Sequence, residues 1–346
     1  MRKFLLLILI TSLLCVPVSA LEFTAPPTPE FAEQYMPESS SSFLSDLWYI
    51  IKKSFADFYP QIANAARICV TVIVIVMLIS LMQNLSGAAT RTVNLAGVIA
   101  ISTTLLAQSG SLIRIGVETV ESISEYGKLL LPTMTAALAA EGGVATSTAL
   151  YTGTVIFNSI LISTISKVLV PMLYAFIALS IAKAVIDEDI LKNLQTFAKW
   201  LITWLLKISI YIFTGYLTVT GVVSGTIDAA AVKATKLAVS GVVPVVGSII
   251  SDASETILIS AGIMKNTVGT CGVLAILAMW IGPFWQIGAQ YLTLKITAAV
   301  AGTFGCKQSV LLIDSFSAAM GFLVAMTGTV CIMLLISTVC FMKGVG

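Results

Sequence analysis

Two charged residues stand in stretches otherwise suited to lipid. Lys295 lies in QYLTLKITAAVAG and Asp314 in VLLIDSFSAAMG. A Lys or Asp at the centre of a membrane span costs roughly 2.5–3.5 kcal/mol on insertion scales, so each should face a partner or water. The competing reading is a side chain that snorkels from the end of a span. The rest of the chemical inventory is thin. Histidine is absent, which removes the commonest metal ligand and the usual general base. Cys15, Cys69, Cys271, Cys306, Cys331 and Cys340 form no C-x-x-C pair, so no zinc site is expected. One intramembrane Asp is not the carboxylate dyad of an aspartyl protease. There is no P-loop. These features predict a protein that is not an enzyme and carries no cofactor.

A second pattern concerns backbone. SGVVPVVGSIISDASETI, residues 240–257, begins like a span, yet it places Pro244 and Gly247 among apolar residues and turns acidic at Asp252. LLPTMTAALAAEGG, residues 130–143, repeats the plan, opening at Pro132 and closing on Glu141, Gly142 and Gly143. Pro132 and Pro244 are 112 residues apart, as are Pro171 and Pro283, and Lys183 and Lys295 share that offset. The spacing suggests a diverged internal repeat over 111–222 and 223–334. With three spans per half the two halves would be inverted across the membrane, and paired broken segments in such halves point to a substrate path. Broken backbone at membrane depth survives only where protein or water satisfies its polar groups. The segments 132–143 and 244–256 therefore read as half-helices. Either they line or plug a path through Pro132, Gly142, Gly143, Pro244, Gly247 and Asp252, or they are re-entrant hairpins that only pack.

The elements that must position these residues follow from composition. The chain is 58% hydrophobic and 10% charged, against about 45–50% and about 25% for a soluble domain. A net charge of +2 with no basic face gives no support to nucleic-acid binding. The expected fold is an all-α polytopic membrane protein of about eight spans, at 62–83, 93–109, 148–166, 168–186, 200–222, 257–280, 284–304 and 314–341. Residues 1–20 read as a cleaved signal peptide, with Arg2 and Lys3 before a short apolar run and Val18-Ser19-Ala20 as the cleavage site; a retained anchor is the alternative. Residues 21–42 read as a Pro/Ser-rich extracytoplasmic linker. Leu44, Leu47, Trp48, Ile51, Phe55 and Phe58 recur at helical steps, which predicts an interfacial amphipathic helix over 43–59 before the membrane domain 60–346. Arg114, Glu118, Glu121, Glu125 and Lys128 form a charged stripe on another helix. A mature N-terminus outside the cytoplasm puts 84–92 and 223–256 inside, and 110–147 and 183–199 outside.

The stretches LLPTMTAALAAEGGVATSTAL and AVKATKLAVSGVVPVVGSIISDASETILISAG, residues 231–262 for the second, resemble those of the stage III sporulation protein AE family. The signal peptide, Pro-rich start and polytopic remainder are similar too. The resemblance implies a multi-pass protein of the mother-cell membrane around the forespore. It implies partners encoded in the same operon and a further partner in the forespore membrane. The assembly it points to is a secretion-like channel that sustains the forespore and its late gene expression. It brings no catalytic residues. A non-conducting scaffold of that complex and a free-standing secondary transporter remain the alternative readings.

Overall fold

The computed structural model describes residues 26–37, 42–86, 90–140, 144–186, 188–219 and 267–344. All regular structure among them is helical. A single turn, α1 (Glu30–Glu33), precedes α2 (Phe43–Ser86) and α3 (Thr90–Ala140). Next, α4 (Val144–Thr164) passes through a π-turn (Ile165–Leu169) into α5 (Val170–Ile186). Then come α6 (Asp189–Val219), α7 (Thr267–Gly302) and α8 (Lys307–Gly344). Stretches such as Thr71–Met77, rich in Val and Ile, would favour strands in water. In lipid every backbone group needs an internal partner, and the helix supplies one residue by residue.

Among the described residues, six continuous rods are long and apolar enough to cross a membrane. Two of the boundaries expected between the eight spans do not exist among the described residues. Spans 148–166 and 168–186 are one rod. Pro171 lacks the N–H that would bond to Lys167, and the wider π-turn just before it absorbs the ring without ending the helix. Pro283 likewise sits inside α7, fusing the span 284–304 to the described part of 257–280. Residues 43–59 are not a separate interfacial helix but the first turns of α2, which continues through Pro60. Tyr35 ties the preceding segment down: its hydroxyl donates to Asp57 at 2.9 Å. Burial, then the Asp57 carboxylate, push the Tyr35 phenol up to about 12.

Helix α8 is the centre of the bundle, with 94% of its most apolar stretch buried. Its neighbours approach closely where glycine permits. A Cβ on Gly116 of α3 would lie 3.2 Å from Leu323, and one on Gly127 would lie 3.0 Å from Leu334. Phe176 of α5 meets Phe322 edge to face. Trp285 of α7 gathers Phe55, Phe58 and Phe284 around it.

Three turns share one end of the bundle. The Ser80 hydroxyl donates to the Phe304 carbonyl at 3.1 Å, so the α2–α3 turn lies beside the α7–α8 turn. Gln195, just after the α5–α6 turn, reaches Ser315 near the start of α8. At the opposite end, Gly269 lies against Met342 and Met134. Residues 84–92 and 183–199 are therefore on the same side, which corrects the expectation that placed them on opposite sides. The described chain breaks off at Val219 and resumes at Thr267, both at the far end, and the expected inside stretch 223–256 lies outside the described residues. The inverted repeat is corrected for the helices that can be compared. Pro171–Lys183 in α5 and Pro283–Lys295 in α7 run in the same direction, toward the shared end.

Candidate functional site at the shared helix end

Lys295 and Asp314, each expected to need a partner, are partners of one another. The two helices form an antiparallel hairpin, and its short turn at 303–306 places Lys295 opposite Asp314. The Lys295 ammonium donates to Asp314 Oδ1 at 2.5 Å. Their side chains remain 44% and 51% exposed, on a surface that also shows Leu292, Ile296 and Leu311. A closed ion pair on such a surface has much of its charge cancelled, which lowers the cost of either ion alone near lipid.

Next to this pair is an uncharged hub. Gln195 of α6 is buried. Its amide donates to Ser180 Oγ of α5 at 2.8 Å and to Ser315 Oγ of α8 at 2.9 Å. Its carbonyl oxygen accepts from Lys183 Nζ at 3.2 Å. One side chain thus joins three helices. Through Ser315, the neighbour of Asp314, it brings the two lysines of the 112-residue offset, Lys183 and Lys295, into one polar cluster. Ser180 and Ser315 also donate to the Phe176 and Leu311 carbonyls of their own helices, so each hydroxyl has both a donor and an acceptor role. Replacing Gln195 with leucine is expected to cost about 1–3 kcal/mol, because Lys183 loses its acceptor in a site poor in alternatives. Gln195→Glu keeps an acceptor for Lys183 and should lose less. Thermal unfolding of the detergent-purified protein measures both.

The stage III sporulation protein AE family matches residues 32–344 of the chain. The chain belongs to this family. The stage III sporulation protein AE of Bacillus subtilis (strain 168) is 23% identical over 224 residues, covering 64% of this chain and 55% of that protein. The match therefore spans little more than half the length of that relative. No solved structure matches.

For this family member, the two stretches that carry the resemblance fall differently in the structure. Pro132 lies inside the continuous helix α3, exposed on its outer side, and does not open a half-helix there. Its missing donor falls on the exposed face, and Thr133 and Thr135 bond back to the carbonyls of Leu130 and Leu131. Gly142, Gly143, Pro244, Gly247 and Asp252 lie outside the described residues, as does the whole segment 244–256. Sequence reasoning passed over Gln195 and Lys207. The signal for Gln195 was an amide placed one turn before Ala198 and two before Ile202, on the buried face of an amphipathic helix. Lys207 sits inside the expected span 200–222, unpaired by any ion among the described residues.

Polar groups are also buried deep in the bundle. Ser102, Thr154 and Asn158 have polar atoms with no hydrogen-bond partner among the described residues, and the amide of Gln290 has none at either end. Burying such a group unpaired costs about 1–3 kcal/mol, and internal water is the ordinary remedy.

Proposed function

We propose that the protein is a channel- or permease-like membrane subunit of a trans-envelope sporulation complex. That complex links mother cell and forespore and is needed for forespore maintenance and late forespore gene expression. The observation that carries the reading is the family match over 32–344 on a chain with six membrane-length helices. Support for a conducting role comes from the partnerless amide of Gln290 and the hydroxyl of Ser102, which favour a hydrated interior. The partners on this reading are the sibling products of the operon and a protein of the forespore membrane, and no catalytic step belongs to this chain. Its setting is the mother-cell membrane, with a signal peptide removed after Ala20. The mature N-terminus then lies outside the cytoplasm, and the shared end bearing Lys183, Lys295 and Asp314 faces the cytoplasm.

One observation favours the scaffold reading: α8 fills the centre of the bundle, where a path through a single copy would run. The experiment for the sporulation role is gene deletion. Development should stop after engulfment while vegetative growth is unchanged. Normal yields of heat-resistant spores from the deletion strain would reject the role.

A further inference from the structure

The outer faces of α3 and α6 carry stripes that match each other but do not pair within one chain. On α6, Trp200, Trp204, Lys207 and Tyr211 follow steps of four, three and four, and all are exposed. The rings of Phe197, Trp200 and Trp204 follow one another at 5.9 Å between centroids. On α3, Arg114, Glu118, Glu121 and Glu125 follow the same steps of four, three and four, also exposed. Such steps put each set in one line along its helix.

Contacts with α8 fix the relative heights. Gln195 of α6 bonds to Ser315, and Gly116 of α3 abuts Leu323, eight residues farther along α8. Gly116 is therefore about 12 Å farther from the shared end than Gln195. Counting 1.5 Å per residue, Trp200, Trp204, Lys207 and Tyr211 stand about 8, 14, 18 and 24 Å beyond Gln195. Arg114, Glu118, Glu121 and Glu125 stand at about 9, 15, 20 and 26 Å on the same scale. Each α3 residue is within about 2 Å of an α6 counterpart in height. The chemistry matches as well: a guanidinium level with an indole, a carboxylate level with an ammonium, a carboxylate level with a phenol. Both helices run away from the shared end, so the stripes are parallel.

Lys207 lies in the apolar run WLITWLLKISIYIFTGYL, residues 200–217, where a cation needs a partner. Glu121 and Glu125 are in no ion pair among the described residues. We propose that copies of this chain assemble side by side into a closed ring. In it the α6 stripe of one copy docks on the α3 stripe of the next, with Lys207 against Glu121. Rotation about an axis along the bundle leaves heights unchanged, so a head-to-tail contact between equal heights can close. A face-to-face contact of two α6 stripes would set Lys207 against itself. The assembly requires neither conduction nor a sporulation role.

The test uses the full chain in membranes and oxidative cross-linking. A chain carrying both Glu121→Cys and Lys207→Cys should give a ladder of dimer and larger species that collapses on reduction. Chains with either substitution alone should stay monomeric. Charge reversal provides a second measure. Glu121→Lys or Lys207→Glu alone should lower the assembled fraction at least about tenfold, and the two together should restore it. Dimers from Lys207→Cys alone would overturn the head-to-tail contact. So would a monomer-only double-cysteine chain with unchanged elution and helicity, or cross-links that join Lys207→Cys only to a different protein. Since none of these readouts involves spores, their failure is separate from failure of the sporulation role.

Discussion

Replacing Gly116 and Gly127 with leucine is expected to detach α3 from the centre of the bundle. The two residues are eleven apart, three helical turns, on the face of α3 that also buries Val120, Ile123, Leu130 and Leu131. A Cβ at either position already comes within 3.2 Å of a leucine side chain of α8, and three further carbons have no space there. Overpacking of this kind costs about 1–3 kcal/mol per site. Both sites press on the same central helix, so the pair should cost several kcal/mol, on the order of a third or more of a typical total stability. Gly110 is the control. Nothing lies within 4 Å of a Cβ there, and Gly110→Ala should stabilise by up to about 1 kcal/mol through helix propensity. Thermal unfolding in detergent separates the cases. If the leucine pair unfolds no earlier than the parent chain, the close approach of α3 to α8 is wrong.

The membrane class and the helical fold were legible because long apolar runs admit almost no other solution in lipid. The span count was not, and the reason is local. In water a proline usually ends a helix, and the reading placed a boundary at Pro283 in keeping with that rule and another at Lys167, four residues before Pro171. In a bundle of this kind neighbouring helices and a π-turn absorb the lost bond, and both rods continue. The stripe over 43–59 was read from a real periodicity, but its direction was not legible. Leu44, Trp48 and Phe55 face outward at 57–67% exposure, while Phe43, Asp46, Ile50 and Ser54 face the bundle. A soluble helix hides its apolar stripe, whereas a helix bordering lipid shows it. The offset shared by Lys183 and Lys295 was visible as a number. That both lysines lead into one cluster depends on Gln195 and Ser315, whose contacts cross three helices and leave no pattern in a single sequence.

Removing one member of the Lys295–Asp314 pair should be far more damaging than removing both. The sequence showed that each charge needs a partner; the hairpin shows that one answers the other. With Asp314→Leu, Lys295 is left as a bare cation beside Leu292 and Ile296, and the expected loss is up to about 2.5–3.5 kcal/mol, the scale for a lone charge in a span. Lys295→Met leaves the carboxylate in the same position, at a similar cost. The double variant Lys295→Met, Asp314→Leu removes the charges together and fills the surface with apolar atoms. It should fall within about 1 kcal/mol of the parent chain, as replacements of ion pairs by packed hydrophobes often do. If instead both single variants cost less than about 1 kcal/mol, the pair behaves as one exposed to water, and the end of the hairpin stands outside the hydrocarbon. Spore yield then separates structure from function. If the pair takes part in transport or partner binding at this end, apart from the interior marked by Gln290 and Ser102, the double variant should fold and insert normally yet form few heat-resistant spores. A double variant with full stability and full spore yield would make the pair a fastening between α7 and α8. A conducting path would then be sought at the α3 and α6 faces, where Glu121, Glu125 and Lys207 are in no ion pair among the described residues.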